Sequence, residues 1–364
     1  MTFLPIVGRE LRVVARKRSS FWIRVAAALV VCCTSQVLAQ QTANAATGSK
    51  AVTSAAPAPV TWRDPGDIAA RDLRFGPGSE KNAPVGPFTF LEEDAAGESP
   101  KFKVRDAQGV IWSVKMGVEA QAETVVSRLV WAVGYFAEEA YYLDRIEVKN
   151  LPKLRRGGEF VENKTTVRGV RLEPRRDYIT RGETWDWEQN PFVGTRELNG
   201  LKVLMVLVAN YDTSVRNNSI FTVRDPETGN VETRYIVSDV GCTLGKIGGM
   251  GGKRSKNNLS DFLANKFILS VENGVVKFDY DTTPKGAGGF FAKMFSPGYG
   301  SRQAKKERAM GTAPVADARW IGTQLAKLSD EQLRDAFRAA HYDQATMEGF
   351  VKVLRERINQ LAKL

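Results

Sequence analysis

Lys115 closes the segment Val110–Lys115, which alternates polar and apolar residues as a strand does. Glu119 and Glu123 follow it, one helical turn apart. Asp212 comes just after the strongly apolar run Leu198–Ala209, and Asn217 stands five residues later in Asp212-Thr-Ser-Val-Arg-Asn217. Asp239 ends the apolar segment Tyr235-Ile-Val-Ser-Asp239, with Gly241 two residues on. These types in this order suit phosphoryl transfer. A strand lysine can neutralise the inner phosphates of ATP, and a helix glutamate can hold that lysine through an ion pair. An aspartate after a buried helix can accept or orient the proton of an attacking hydroxyl. An asparagine and a second aspartate are hard oxygen ligands for Mg²⁺. Two choices stay open: Glu119 competes with Glu123, which lies one turn deeper and is preferred, and Asn218 competes with Asn217.

Composition removes the common alternatives. The 364 residues include one His and three Cys, so neither a multi-histidine metal site nor a four-thiolate zinc site can be built. No nucleophile–base pair for a hydrolase is visible. Formal net charge is +11, but residues 1–39 hold six Lys/Arg and one acid, and without them the chain is only modestly basic. That does not call for a nucleic acid partner.

Residues 1–39 read as a signal peptide. Arg9, Arg12, Arg16, Lys17, Arg18 and Arg24 precede a short apolar run, Val25–Cys33, and Val37-Leu38-Ala39 supplies small residues before a cleavage point. Export to the periplasm or outside the cell is the expectation, with Cys242 as the sole cysteine left. Residues 40–84, rich in Ala, Thr, Ser, Pro and Gly, read as a flexible linker.

Beyond the linker, Phe88–Glu92, Lys101–Arg105 and Val110–Lys115 predict a β-meander, and Glu119–Phe136 a helix. Tyr141–Val148 predicts a further strand. Residues 149–197 are basic and turn-rich, with Arg155, Arg156, Arg168, Arg171, Arg175, Arg176 and Arg181 expected at a solvated surface that could meet an anionic partner or a membrane surface. Leu198–Ala209 predicts a buried helix, Ser219–Val223 and Thr233–Ser238 a hairpin, and Val275–Tyr280 a strand; residues 281–313 look irregular. Helices are predicted for Ala316–Leu328, after a Ser329/Gln332 capping box, and from Gln344, where Met347, Phe350, Val351, Leu354, Ile358 and Leu361 share a face. Lys246, Lys253, Arg254 and Lys256 lie on a Gly-rich loop, either solvated or a clamp for anions. Trp185 and Trp187 are expected to anchor a loop, and His341 to end a helix.

With Lys115, the Asp212/Asn217 spacing and Asp239-Val-Gly241 in hand, the chain resembles the atypical protein-kinase-like superfamily, including its HipA-type, spore-coat and secreted branches. It is also similar to uncharacterised exported bacterial proteins that share Pro100-Lys101-Phe102, Trp112-Ser-Val-Lys115 and Asp239-Val-Gly241. The resemblance implies an α+β, bilobal fold: a small antiparallel β lobe with one helix (85–148), then a mostly helical lobe (149–364). It implies ATP or another nucleotide with Mg²⁺, bound by Lys115 and Glu123, with Asn217 and Asp239 on the metal and Asp212 as the catalytic carboxylate. The acceptor would be hydroxyl-bearing or anionic; nothing demands an obligate oligomer. There are departures. Ala95-Ala-Gly97-Glu-Ser-Pro100 replaces the Gly-rich loop, Tyr211 the Arg before the catalytic Asp, and Val240 the usual aromatic. A catalytically silent scaffold of the cell envelope is the alternative.

Overall fold

A computed structural model describes residues 57–95, 97–248, 254–281 and 299–364. The expected signal peptide and the first part of the expected linker lie outside the described residues. Residues 57–84, also expected as linker, are instead laid onto the fold. Strand β1 (Pro59–Val60) pairs in parallel with Thr233–Arg234, the Trp62 indole donates to the Val133 carbonyl at 2.7 Å, and Ile68 and Leu73 are buried. The anchors here are single apolar residues between short 3-10 turns, so the sequence carries no period to betray them.

The expected meander forms. β2 (Phe88–Asp94), β3 (Lys101–Arg105) and β4 (Ile111–Met116) pair antiparallel in chain order. Helix α1 (Glu119–Ala132) follows, four residues shorter than expected. Gly134, at φ +96°, stops it, and a Cβ there would lie 2.2 Å from the Arg63 carbonyl oxygen. Next come β5 (Tyr141–Lys149), β6 (Val161–Glu162) and β7 (Thr166–Pro174). β7 pairs with both β5 and β4, and β2 with β5, so β4-β3-β2-β5-β7 close into a ring with β6 on its margin. Phe102, Val104, Trp112, Val114, Val167, Val170 and Leu172 fill its core. The β lobe therefore runs to Pro174, not to 148. β7 escapes sequence reading because one of its buried positions is Arg171, which breaks the apolar alternation.

After β8 (Ile179–Arg181), the second lobe is built on α2 (Arg196–Leu207), N-capped by Thr195, whose hydroxyl accepts from Leu198 N–H. Leu198, Leu201, Leu204, Met205 and Leu207 are buried, and each side chain of this size contributes roughly 1.5–3 kcal/mol. The hairpin β9 (Asn218–Arg224) and β10 (Val231–Val237) joins β1 and β8 in the order β1-β10-β9-β8. The remainder is α3 (Leu259–Ala264), β11 (Ile268–Glu272), β12 (Val275–Phe278), α4 (Tyr299–Met310), β13 (Thr312–Pro314), α5 (Val315–Ala326), α6 (Asp330–Arg338) and α7 (Gln344–Ala362). Residues 299–314, expected to be irregular, form α4 and β13. The Ser329/Gln332 capping box is present, and all six predicted residues of α7 are buried. Buried Arg357 of α7 donates to the carbonyls of Leu207 and Phe262, tying α7 to α2 and α3. The outcome is the two-lobed α+β fold that the resemblance implies. Among the described residues no helix is long and apolar enough to cross a membrane.

Candidate functional site

Lys115 stands at the end of β4 with its side chain only 4% exposed. Its ammonium lies 2.8 Å from a Glu123 oxygen, 2.7 Å from a Glu119 oxygen and 3.5 Å from Asp239 Oδ1. Helical periodicity puts Glu119 and Glu123 on one face of α1, the face turned to β4, so the choice between them dissolves. Glu123 is also 3.3 Å from the Arg171 guanidinium, which itself pairs with Glu173. Lys115 and Arg171 are register partners across β4 and β7 and therefore point to the same side. Arg171, expected at the surface, is thus a buried member of the site.

Glu119 is tied from several directions. Ser99, in the loop between β2 and β3, donates to it at 2.8 Å, and Lys256 forms a short ion pair with it. The loop that replaces the Gly-rich turn is held over the cluster: Arg156 donates to the Gly97 carbonyl at 2.7 Å and to that of Asp94 at 3.1 Å. Gly241 lies against Glu119, where a Cβ would sit 2.8 Å from the Glu119 Cβ. Its glycine serves close approach.

Charge follows geometry. Burial works against the Lys115 ammonium, but Glu123, Asp239 and Glu119 outweigh it and raise its pKa well above the ordinary value. Burial pushes Glu119 up, yet Lys115 and Lys256 hold it down at about 2. Burial raises Glu123, and Arg171 and Lys115 offset part of that.

The other half of the site follows α2. Asn210 presents its side-chain oxygen to Asp212 N–H at 3.0 Å, the Trp187 indole donates to the Thr213 carbonyl at 3.1 Å, and the Tyr280 hydroxyl donates to the Asn210 carbonyl at 2.9 Å. Trp185 and Trp187 are both buried and serve as the expected anchors. The Asp212 carboxylate accepts from Ser214 and from Lys306 of α4, the latter at 3.0 Å. Burial would raise its pKa, but Lys306, Ser214 and Asn217 bring it below the usual range.

Asn217 joins the halves. Its side-chain amide donates to the Asp212 carbonyl at 2.7 Å, and its own carbonyl accepts from Ser238 N–H and Asp239 N–H at 2.8 and 3.2 Å. Asn218 is fully buried and donates to the Trp185 carbonyl, away from this arrangement. Lys115, Glu123, Asp239, Asn217 and Asp212 therefore stand in one connected constellation. Asp239, with 45% of its side chain exposed, is the open edge of the Lys115 cluster. Among the described residues no group of three or more His, Cys, Asp or Glu is arranged to hold a metal ion. The donor set of Asp239 and Asn217 still suits a hard cation that takes its remaining ligands from phosphates and water.

Sequence reasoning missed Arg171, Lys306 and Ser99 as members. Lys306 could not be found, because its segment carries no signal linking it to Asp212. Lys256 pairs with Glu119 rather than standing solvated; Lys253 lies outside the described residues. The Cys242 thiol is pushed up to about 12 by burial and the nearby Glu119, so it is a poor nucleophile. His341, at φ +54°, lies in the turn just after α6 and pairs with Asp144 at 2.7 Å.

No family model matches the chain, and no curated protein matches it. Among solved structures it is similar to the proinflammatory kinase CtkA of Helicobacter pylori, at 11% identity and TM-score 0.40, covering 77% of this chain and 98% of that one. It is also similar to a Golgi casein kinase, at 8% identity and TM-score 0.37, covering 77% and 72%, and to the same kinase with Mn and ADP bound, at 8% identity and TM-score 0.35. Such low identity carries no residue's role across.

Proposed function

We propose that this chain is a phosphotransferase that moves a phosphoryl group from a nucleotide to a hydroxyl acceptor. The supporting observation is the Lys115–Glu123–Asp239 triangle, joined through Asn217 to Asp212. Lys115 would bind the inner phosphates, oriented by Glu123, and Arg171 would keep Glu123 ionised. Asp239 and Asn217 would hold Mg²⁺, whose contribution is to neutralise charge on the phosphates. Asp212 would orient the acceptor hydroxyl and take its proton. The acceptor oxygen forms a bond to the terminal phosphorus, the bridging P–O bond breaks, and the nucleoside diphosphate leaves with the electron pair. An Asp with a lowered pKa is a weak base, so its role is mainly orientation. A signal peptide over 1–39 would place the protein outside the cytoplasm, where its nucleotide supply is limited.

One observation favours a silent relative of such enzymes. Glu119 gives Lys115 a second helix carboxylate, and the loop carrying Ser99 is fastened to it, so the lysine is satisfied without a phosphate. Thermal shift with ATP and Mg²⁺ separates the two readings. The enzyme gives a rise in Tm that Asp239→Ala abolishes and Lys115→Ala weakens; a silent scaffold gives none. A rise unchanged in both variants would put the nucleotide elsewhere.

A further inference from the structure

Residues 59–82 form a strap between the lobes. At one end β1 pairs with β10, and at the other the Ser79 carbonyl accepts from the Tyr141 hydroxyl of β5 at 2.8 Å. Between these ends its contacts converge on the C-terminus of α1. A helix end leaves carbonyls without partners inside the helix. Here the Arg71 guanidinium donates to the Trp131 carbonyl at 2.8 Å and stacks on the Trp131 ring. The Trp62 indole donates to the Val133 carbonyl, and Arg63 N–H to the Gly134 carbonyl at 2.9 Å. Arg71 also sets a positive charge at the negative end of the helix dipole. In the reverse direction, buried Arg128 of α1 donates to the Arg74 and Phe75 carbonyls of the strap at 3.3 and 3.4 Å.

One side chain of α6 holds the strap in turn. The Gln332 oxygen accepts from Ser329 N–H at 3.0 Å, completing the capping box. Its amide nitrogen donates to the carbonyls of Ile68, Ala69 and Arg71 at 2.9, 3.2 and 2.9 Å. A capping box needs only the oxygen and accepts Glu as readily as Gln. The amide is therefore required by the strap and not by the cap. Near its start α1 also meets the second lobe directly, where the Gln121 side chain donates to the Ala340 carbonyl at 3.0 Å. Glu123 thus lies between two anchor points of the helix.

We propose, resting on the phosphotransferase reading, that the strap sets α1 for catalysis, with Gln332 and Arg71 as positioning residues. Gln332 ties the strap to α6, Arg71 ties it to α1, and the fixed helix holds Glu123 on Lys115. A loosened strap lets α1 shift, and a displacement of about 1 Å at an orienting group can cost on the order of 10²-fold in rate. Glu123 aims Lys115 and does not itself hold the nucleotide, so the loss falls on kcat rather than on KM for ATP.

The test compares two neighbouring positions of the full chain. Gln332→Glu keeps the capping box but sets a carboxylate against three carbonyls. Ser329→Ala removes the cap but keeps the donor. Hydrogen exchange is followed over α1 and α7, and turnover of ATP–Mg²⁺ to ADP is followed with water as acceptor. Gln332→Glu should speed exchange in α1 and lower kcat, each by about tenfold or more, with α7 exchange and KM for ATP unchanged. Ser329→Ala should lower Tm and leave α1 exchange and kcat at wild-type values. Arg71→Met, which cuts the strap at its other end, should repeat the Gln332→Glu pattern, and Arg71→Lys, which keeps a donor, should restore part of it. A wild type that turns over no ATP fails the phosphotransferase reading alone, since the α1 exchange comparison still decides whether the strap holds the helix. Like effects of Gln332→Glu and Ser329→Ala on α1, exchange quickened equally in α1 and α7, or α1 exchange and kcat untouched by Gln332→Glu would each overturn the proposal.

Discussion

The two ends of the site are built on opposite principles. At the Lys115 end, two cations and two carboxylates are almost fully buried and satisfy one another: Lys115, Arg171, Glu119 and Glu123 all sit below about a tenth of their side-chain exposure. At the Asp212 end, a single carboxylate, a quarter exposed, faces a wide cavity. The first end is pre-organised, so charge placed there meets fixed partners at little reorganisation cost. The second is open and adaptable. In the proposed phosphotransferase, a fixed end would suit the part of the reaction that never varies, the nucleotide phosphates. The open end would suit the part that decides specificity.

The largest effect should come from breaking the buried end. Lys115→Met leaves Glu119 to Lys256 and Ser99 and Glu123 to Arg171 alone, and removing one partner of a buried pair costs up to about 3–5 kcal/mol. Urea denaturation should show that loss; a change no larger than that of an exposed-pair variant such as Arg338→Ala would mean the cluster is not the tight element described. Next, Asp239→Ala removes the open edge while leaving the buried pairs in place. It should lower phosphoryl transfer on the order of 10²–10³-fold with little change in stability. Full retention of turnover would take Asp239 out of the site.

At the open end, Lys306→Ala should be milder and should be read in the pH profile. Lys306 helps hold the Asp212 carboxyl below its usual range, so its loss moves the acidic limb of kcat/KM to higher pH. An unmoved limb would separate Lys306 from Asp212 in function. The smallest effect is the pH dependence of stability itself. Glu119, at about 2 in the folded chain against 4.5 ordinarily, contributes stability that is complete above 4.5 and is lost as pH falls toward 2. Lys115 is raised, so its contribution is complete below its ordinary 10.5 and fades as pH climbs beyond it. In Glu119→Gln the acid arm should flatten; an identical acid transition would refute the assignment.

The buried end was the more legible in sequence. Lys115 closes an alternating strand and Glu119 and Glu123 open a helix, so local periodicity places all three. Asp212, Asn217 and Asp239 could be read for the same reason, as punctuation around an apolar helix and a hairpin. Arg171 could not, because charge at a buried strand position is indistinguishable from a solvated one until the partner across β4 is known. Lys306 and the wall of the cavity depend on how α4 sits against the 210–217 loop, a contact between distant segments with no shared period. The packed stretch 57–84 was hidden likewise, since isolated residues such as Ile68 and Leu73 are defined by what they touch.

The central claim is that Lys115 and Asp239 together form the site for nucleotide phosphates. Calorimetric titration of ADP in the presence and absence of Mg²⁺, against wild type and Asp239→Asn, tests it most directly. The account predicts binding strengthened by Mg²⁺ in wild type, with the Mg²⁺ dependence lost in the variant. Binding of equal strength in both proteins, indifferent to Mg²⁺, would contradict it.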